Sequence, residues 1–272
     1  MRCRGFTLVE LIIVIILLGI VSTISVRFIT FSTQGAVDTS ARQQRALSGV
    51  VISEQISRAL REALPTSVRV KERTDKGDCI EWMPVKAASN YLNLPKGSDP
   101  SGFDAIPLPV PDGKNKTRSE TGRVVVYGYS GDVYSPTDPG PISPPASMDS
   151  GDSGDSSVRV DFDGGEPHRF TSGSPRKRFF IVGSPKTLCQ NGEFLYRYRN
   201  YGIQPSVEAN LPTSMPNREV LAANLASESL SFNLSPPTLT RGAIVSVRFT
   251  LEDPDSGETL DVSQEVQIRN VP

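Results

Sequence analysis

The chain begins with MRCRGFTLVELIIVIILLGIVSTISVRFITF, residues 1–31, a short basic leader followed by an apolar run. Across residues 6–26 the only charged side chain is Glu10. A helix of about 20 residues spans roughly 30 Å, so this run is long enough to cross a lipid bilayer. Arg2 and Arg4 precede the run, and basic residues stay on the cytoplasmic side of a membrane. The stretch therefore predicts a membrane-spanning helix that sends the rest of the chain to the other side.

Gly5 and Glu10 distinguish this stretch from an ordinary secretory signal. Such a signal has a small-residue cleavage site after its apolar core and is then discarded. Here the basic part ends at Gly5, before the apolar core, and Glu10 lies inside that core. A carboxylate within hydrocarbon costs on the order of 2.5 to 3.5 kcal/mol, so it needs a partner. Cleavage after Gly5 would create a new amine on Phe6, which could neutralise Glu10 of a neighbouring subunit.

The residues from Gly5 to Glu10, GFTLVE, resemble the cleavage and methylation motif of type IV prepilins, which major pilins, minor pilins and the pseudopilins of type II secretion share. By that resemblance Gly5 ends the leader, Phe6 is the N-methylated first residue and Glu10 is the assembly glutamate. The implied partners are a prepilin peptidase and methyltransferase, other minor and major pilins, an inner-membrane assembly platform and the lipid bilayer. The implied location is the inner membrane, crossed once with a cytoplasmic N-terminus and a periplasmic head, and then a pilus or pseudopilus filament.

A polar segment with one apolar face follows the anchor. In residues 32–64 apolar side chains recur at helical spacing, and Pro65 is a natural stop. The expected fold is α+β and type IV pilin-like, with a long helix packed on an antiparallel sheet. It comprises a leader at residues 1–5, a transmembrane or filament-core helix at 6–31, the amphipathic half of that helix at 32–64, and a periplasmic β-rich head at 65–272.

Alternation of apolar and polar residues predicts short strands in the head. Six segments carry it: SVRVKE (67–72), CIEWMPV (79–85), RVVVYGY (123–129), SVRVDF (157–162), RFFIVG (178–183) and FLYRYRNY (194–201). Residues 243–251 and 260–268 are the clearest pair, and the turn-forming residues between them predict an antiparallel hairpin. Gly and Pro are concentrated between Pro84 and Pro175, which predicts a long loop region from about 87 to 175.

Further stretches narrow the resemblance to one group of pilins. VRFI (26–29), REALP (61–65) and CIEWMP (79–84) look like the MshO family of minor pilins from mannose-sensitive haemagglutinin (MSHA) type IV pili. This likeness covers the first third of the chain well and the remainder loosely. A J-like minor pseudopilin of type II secretion shares the long helix and large β head and is the main alternative. Another alternative is a binding module that presents the loops at about 87–175 to a surface, a glycan or DNA.

The cysteine count predicts one disulfide. The three cysteines are Cys3, Cys79 and Cys189, and the first lies in the leader, so the mature chain keeps one pair. In an oxidising compartment this pair predicts a bond between Cys79 and Cys189, whereas two unrelated buried thiols are the alternative. The sequence has no Cys-x-x-Cys and no Cys/His cluster, and therefore no ligand set for zinc.

The remaining composition and motifs favour no enzyme. With 29 Lys+Arg against 30 Asp+Glu, the net charge of -1 gives no reason to expect nucleic acid as a partner. The segment GDSG (151–154) resembles the nucleophile segment of trypsin-like proteases. Its serine lacks a base, because the one histidine, His168, follows the serine instead of preceding it. We expect no catalytic residue and no cofactor, and we expect His168 to be a solvated loop residue.

Two surface features have more ordinary explanations than binding sites. Asp149, Asp152 and Asp155 offer oxygen ligands, but their spacing does not match an EF-hand and no bidentate Glu follows, so a solvated loop is favoured over a calcium site. Residues 196–201 alternate Tyr and Arg, which could form a stacking surface for nucleic acid or glycan. A half-buried sheet face with solvated arginines is the favoured interpretation.

Overall fold

The computed structural model describes residues 7–95, 101–108, 119–149 and 156–269. The chain divides into two compact units, Met1–Val50 and Val51–Pro272. The first unit holds the larger part of one long helix, and the second holds the end of that helix and the strands. The architecture is α+β and type IV pilin-like, as predicted, with a long N-terminal helix and antiparallel sheets.

The helix, α1, spans Leu8–Arg61 and ends somewhat before the predicted boundary at residue 64. A proline disfavours the helical conformation in the residue before it, and Leu64 accordingly has extended angles, φ -67° and ψ 119°. Pro65–Ser67 then forms a single 3₁₀ turn. The proline stop seen in the sequence is therefore real, and its effect reaches the preceding turn of the helix.

The head is built from short strands. In chain order they are β1 (Arg69–Lys71), β2 (Cys79–Trp82), β3 (Val85–Asn90), β4 (Gly102–Ala105), β5 (Glu120–Val125), β6 (Ile142–Met148), β7 (Val158–Phe162), β8 (Arg178–Val182), β9 (Lys186–Asn191), β10 (Phe194–Tyr198), β11 (Arg218–Ala222), β12 (Ser231–Ser235), β13 (Ala243–Glu252) and β14 (Thr259–Ile268). Strands β1, β2, β5, β7, β8 and β10 overlap the six segments predicted from alternation, so those six predictions are confirmed.

Within the described residues the strands form three sheets. The five-stranded sheet has the order β1-β2-β9-β10-β11, the three-stranded sheet β12-β13-β14, and the six-stranded sheet β3-β8-β5-β6-β7-β4. Every strand pair in these sheets is antiparallel. The prediction of a single sheet is thus too simple, because the head splits its strands among three.

The C-terminal hairpin is confirmed in pairing and in turn chemistry. Strands β13 and β14 pair without a register shift from Ala243↔Ile268 to Glu252↔Thr259. At the turn, the Asp253 carboxylate accepts hydrogen bonds from the N–H groups of Asp255 and Ser256, each at 3.0 Å. Gly257 supplies a positive φ of 68° and donates its N–H to the Asp253 carbonyl at 2.8 Å. Aspartate and glycine have these roles in tight turns generally.

The predicted loop region from about 87 to 175 is wrong as a description of the head. The described part of this range contains β4, β5, β6 and β7 and most of β3. Strand β6 was hidden because its sequence, ISPPASM, contains two prolines, which normally argue against a central strand. Pro145 pairs with Arg123 just before a register shift in β5, and pairing with β7 begins only at Ala146. The prolines therefore lie where few ladder hydrogen bonds are needed.

The first hydrophobic core joins the end of α1 to two sheets. Ile52, Ile56 and Leu60, spaced four residues apart on one helix face, are 5%, 1% and 0% exposed. They belong to one cluster with Trp82 of β2 and Phe249 of β13. Side chains four apart lie on the same side of a helix, so this row explains why the last turns of α1 pack on the head.

The second core lies within the six-stranded sheet and is rich in aromatic rings. Phe103 of β4 is 2% exposed and contacts Phe179 and Phe170 edge to face, with ring centroids 5.2 and 6.1 Å apart. Phe162 lies 6.2 Å from the same ring. Such edge-to-face pairs add roughly 0.5–1.5 kcal/mol each beyond the burial of their area. This cluster lets a sheet of short, proline-interrupted strands hold together.

The helix row generates a stability prediction. Ile56→Ala should lower the free energy of unfolding by about 2–5 kcal/mol, because it deletes a fully buried side chain and leaves a cavity. The matched control is Val51→Ala in the same helix, whose side chain is 53% exposed and whose loss should cost no more than about 1 kcal/mol. Urea unfolding of the full chain in detergent, followed by the fluorescence of its single tryptophan, measures both. Equal costs would contradict the packing described.

Candidate functional site

The helix surface in the first unit is apolar and uncovered. Its large apolar side chains are between 42% and 76% exposed from Leu8 to Phe31. By length and composition α1 is the one helix in the described part of the chain able to cross a membrane. Apolar area of this extent is costly in water, at about 25 cal/mol per Å². The surface therefore requires lipid or other protein around it.

Glu10 lies in the first turn of α1 and closes a capping box with Thr7. The Glu10 N–H donates to Thr7 Oγ1 at 3.3 Å, while the Thr7 N–H donates to Glu10 Oε2 at 3.3 Å. The Thr7 hydroxyl donates to the same carboxylate oxygen at 3.2 Å. A reciprocal Ser/Thr-x-x-Glu pair of this kind satisfies backbone donors at a helix start. This capping role of Glu10 was not predicted, although the Thr-x-x-Glu spacing is visible in the sequence.

The predicted processing residues Gly5 and Phe6 lie outside the described residues, as does Cys3. The contacts of Glu10 described above are the nearest structural information to the predicted cleavage site. The carboxylate hydrogen-bonds to neutral groups of its own chain. No cation lies within ion-pair distance of it among the described residues.

Cys79 and Cys189 are joined by a disulfide in the five-stranded sheet. They lie opposite each other on β2 and β9, with Cα atoms 4.3 Å apart and a sequence separation of 110. Both are buried, in a small cluster that includes Tyr198 and Val207. The bond closes a loop containing the whole six-stranded sheet, so it ties that sheet to the core beneath the helix.

A buried carboxylate on β2 was not predicted. Glu81 is 0% exposed, forms an ion pair with Arg69 of β1 and accepts a hydrogen bond from the Tyr201 hydroxyl at 2.8 Å. The Arg69 guanidinium lies over the Tyr134 ring, 3.5 Å from its centroid. Burial, and then the Glu81 charge, raise the pKa of Tyr201 well above its usual range. A buried ion pair of this kind costs little once complete but about 3–5 kcal/mol if one partner is removed, so we assign it to the structure of the head.

The alternating tyrosines and arginines of β10 form a structural sheet face. The rings of Tyr196 and Tyr198 lie on one side, with centroids 6.2 Å apart. On the other side Arg197 and Arg199 both form ion pairs with Glu219, and hydrogen bonds from Arg197 lower the pKa of that carboxyl. The side chains of Arg197 and Arg199 remain 37% and 39% exposed, so the half-buried sheet face with solvated arginines agrees with the structure, and Glu219 pairs with both.

The expectation that His168 is solvated is wrong. His168 is 2% exposed and packs edge to face against Phe162 and Phe170, with centroids 5.9 and 4.8 Å away. Burial lowers the pKa of His168, and Arg123 adds to this, whereas Asp138 and a backbone hydrogen bond with Gly140 oppose it. The misprediction arose because the polar neighbours Glu166 and Arg169 suggested a loop surface, while the ring turns into the second core.

Of the candidate calcium residues, Asp149 is described and exposed, whereas Asp152 and Asp155 lie outside the described residues. The GDSG segment at 151–154 also lies outside them. The structure therefore gives no geometry for the protease-like segment and describes only one of the three aspartates of the calcium-like pattern.

Comparison with known proteins gives one match. Residues 1–26 match the family described as the prokaryotic N-terminal methylation motif. No curated protein and no solved structure matches the chain. The matched motif, together with the exposed apolar helix that follows it, supports a type IV pilin-like or pseudopilin subunit, and that family is structural and not enzymatic. It also implies processing by a prepilin peptidase and assembly with other pilins.

The disulfide generates the next prediction. The double variant Cys79→Ser, Cys189→Ser should lower the free energy of unfolding by about 2–5 kcal/mol, since the unfolded chain then regains the freedom of a long loop. Urea unfolding of the full chain measures the loss. A peptide map of the wild-type protein under non-reducing conditions checks the bond itself, and recovery of both cysteines as free thiols would contradict it.

His168 generates a pH prediction. Because its pKa is lower in the folded chain, the unfolded chain binds more protons once the pH falls through about 6.5. Stability should therefore fall between pH 7.5 and pH 5.5, with a slope of at most about 1.4 kcal/mol per pH unit from this group. His168→Phe keeps an aromatic ring beside Phe170 and should flatten this part of the profile. An unchanged slope in the variant would assign the pH dependence to other groups.

Proposed function

We propose that this chain is a minor pilin, a structural subunit that enters or primes a type IV pilus of the MSHA kind after a prepilin peptidase cuts between Gly5 and Phe6. One observation carries the proposal. The prepilin motif at residues 1–26 leads directly into a helix whose apolar side chains are exposed from Leu8 to Phe31, and Glu10, the only acid in that apolar run, has no cationic partner among the described residues.

The charge of Glu10 provides the interaction that would pair neighbouring subunits. Cleavage would place a positive amine on Phe6, four residues before Glu10. In a low-dielectric surrounding an unpaired carboxylate is costly, and an opposite charge at about 4 Å is strongly favourable. Thr7 satisfies the hydrogen bonds of Glu10 but leaves its charge uncompensated. The amine of a neighbouring subunit compensates it, which would set the axial register between two helices.

The exposed apolar surface explains why assembly is favourable after extraction from the membrane. In the inner membrane, lipid covers the side chains from Leu8 to Phe31, with the N-terminus cytoplasmic and the head periplasmic. In a filament the same helices of other pilins cover them. Either surrounding removes the surface from water, so the subunit can pass between them without exposing it.

The likeness to MshO-type minor pilins supports the specific assignment. The stretch REALP ends α1 and begins the 3₁₀ turn, and CIEWMP forms β2 with the disulfide cysteine and the buried Glu81. These stretches therefore occupy the junction between helix and head. A J-like minor pseudopilin of a type II secretion system has the same general parts and is the alternative. Restoration of pilus production or of secretion in strains lacking each type of subunit separates the two.

Processing is tested by mass spectrometry of the mature N-terminus. In cells that contain prepilin peptidase the protein should begin at Phe6 and carry one added methyl group. A purified protein that still begins at Met1 in such cells would overturn the proposal, because no amine would then be available next to Glu10.

The role of Glu10 gives a matched pair of variants. Glu10→Gln keeps the shape of the side chain but removes its charge, so the protein should remain in the membrane while its incorporation into pili falls at least about tenfold, equivalent to about 1.4 kcal/mol. Glu54→Gln removes an exposed charge from the same helix and should leave incorporation unchanged. Immunoblots of sheared pili and of membranes measure both fractions. Equal incorporation of the two variants would contradict the pairing.

A further inference from the structure

A cavity in the second unit lies beside the end of α1. Its volume is about 220 Å³, below the roughly 300–1,000 Å³ of pockets for drug-sized ligands, so it has room for one ring-sized group. The helix end and the 3₁₀ turn form one wall, through Arg61 and Leu64, and the segment around Tyr127 forms another. Arg178 and Phe180 of β8 complete it. The proposed assembly function uses none of these residues.

The charges around the cavity favour an anion. Arg61, Arg178 and Arg269 line it, against one acid, Glu62. The C-terminus of α1 contributes about half a negative charge, which leaves a balance of roughly +1.5. Within the described parts of the chain, none of the three guanidinium groups has an ion pair or a side-chain hydrogen bond. By contrast, Arg69, Arg73 and Arg197 elsewhere in the head are all paired with glutamates.

A buried polar group in the wall is also left without a partner. Ser174 lines the cavity and is 8% exposed, and its hydroxyl has no hydrogen-bond partner among the described residues. A buried hydroxyl without a partner costs about 1–3 kcal/mol, so native proteins rarely keep one without a reason. A ligand with hydroxyl groups would satisfy it. Thr66 places a second hydroxyl-bearing side chain in the same wall.

The segment that carries the tyrosines is held in an unusual conformation. Tyr127 has φ 47° and ψ 61°, a left-handed conformation that a bulky residue rarely adopts. Next to it, a Cβ atom on Gly128 would lie 2.3 Å from Thr66 Oγ1, so only glycine permits this close approach to the 3₁₀ turn. Tyr129 donates its hydroxyl to the Thr238 carbonyl at 3.2 Å. Backbone strain of this kind concentrates where a protein clamps a ligand.

From these features we propose that the cavity binds an acidic monosaccharide unit, a sugar ring that carries a carboxylate. The arginines match the carboxylate, since guanidinium groups bind planar carboxylates with two parallel hydrogen bonds. The rings of Tyr127 and Phe180 cover the apolar face of the sugar, and the hydroxyls of Ser174 and Thr66 meet its own hydroxyls. A compact anion such as phosphate would leave the apolar part of the wall, around Leu64 and Phe180, uncovered.

The test uses the full chain in detergent micelles with glucuronic acid as the probe and glucose as its neutral match. Isothermal titration or ligand-observed NMR should detect glucuronate binding at least about tenfold tighter than glucose binding. Arg178→Gln should weaken glucuronate binding at least about tenfold, and Arg178→Lys less. The control is Arg248→Gln, which removes an exposed arginine of β13 outside the cavity and should change nothing.

Several outcomes would overturn the proposal. They are equal binding of glucose and glucuronate, equal binding by the Arg178→Gln and Arg248→Gln variants, and absence of glucuronate binding. Acetate that competes as well as glucuronate would reduce the cavity to a simple anion site and reject the sugar. If Arg178→Gln fails to fold, Arg269→Gln replaces it, because that side chain is exposed. Because the assay measures binding by unassembled protein, its failure leaves the pilin proposal standing, and failure of N-terminal processing leaves this proposal standing.

Discussion

The whole molecule depends on an apolar helix surface that is exposed in the described part of the chain. From Leu8 to Phe31 the large apolar side chains of α1 are exposed. Glu10, the acid of the first turn, hydrogen-bonds to Thr7 of its own chain. A surface of this kind is stable only against lipid or against other helices. Membrane anchoring and the proposed filament packing would each meet this requirement, and in both surroundings Glu10 caps the start of its own helix. In the proposed filament, the amine of a neighbouring subunit would add a charge partner to a carboxylate that is already oriented.

The head is stabilised by its own interior, although its strands are mostly short and form no long regular sheet. The last turns of α1 supply Ile52, Ile56 and Leu60 to the first core, so the helix that leaves the head is also part of its interior. The aromatic cluster around Phe103 stabilises the six-stranded sheet separately. The disulfide and the buried ion pair of Glu81 with Arg69 lie in the five-stranded sheet. The chain leaves this sheet after β2 to form the six-stranded sheet and returns to it at β9. Loss of the disulfide or of the ion pair would loosen the connection between the two cores.

How far the sequence predicts this structure depends on whether a signal is local. The long apolar helix, the proline stop, six strands and the C-terminal hairpin follow from apolar periodicity and turn residues, and these were predicted correctly. Strand β6 was missed because Pro144 and Pro145 break the usual rule, and the rule fails only because of the way this strand pairs with β5 and β7. His168 was misplaced because its ring packs into the second core with Phe162 and Phe170, and its polar sequence neighbours do not reveal that direction. The match to a known family ends at residue 26, so the likeness to one pilin group, which depends on stretches between residues 26 and 84, stays a prediction.

The cavity beside the end of α1 could not be predicted from the sequence. Arg61, Ser174 and Arg269 are far apart in the chain, and nothing in the local sequence connects them. Arg61 ends α1, Ser174 lies four residues before β8, and Arg269 directly follows β14. Three elements that are distant in sequence therefore bring these residues to one cavity. Arginines without an ion pair among the described residues are better explained by the proposed ligand than by stability, because the arginines elsewhere in the head that have glutamate partners show that carboxylates were available where structure alone required them.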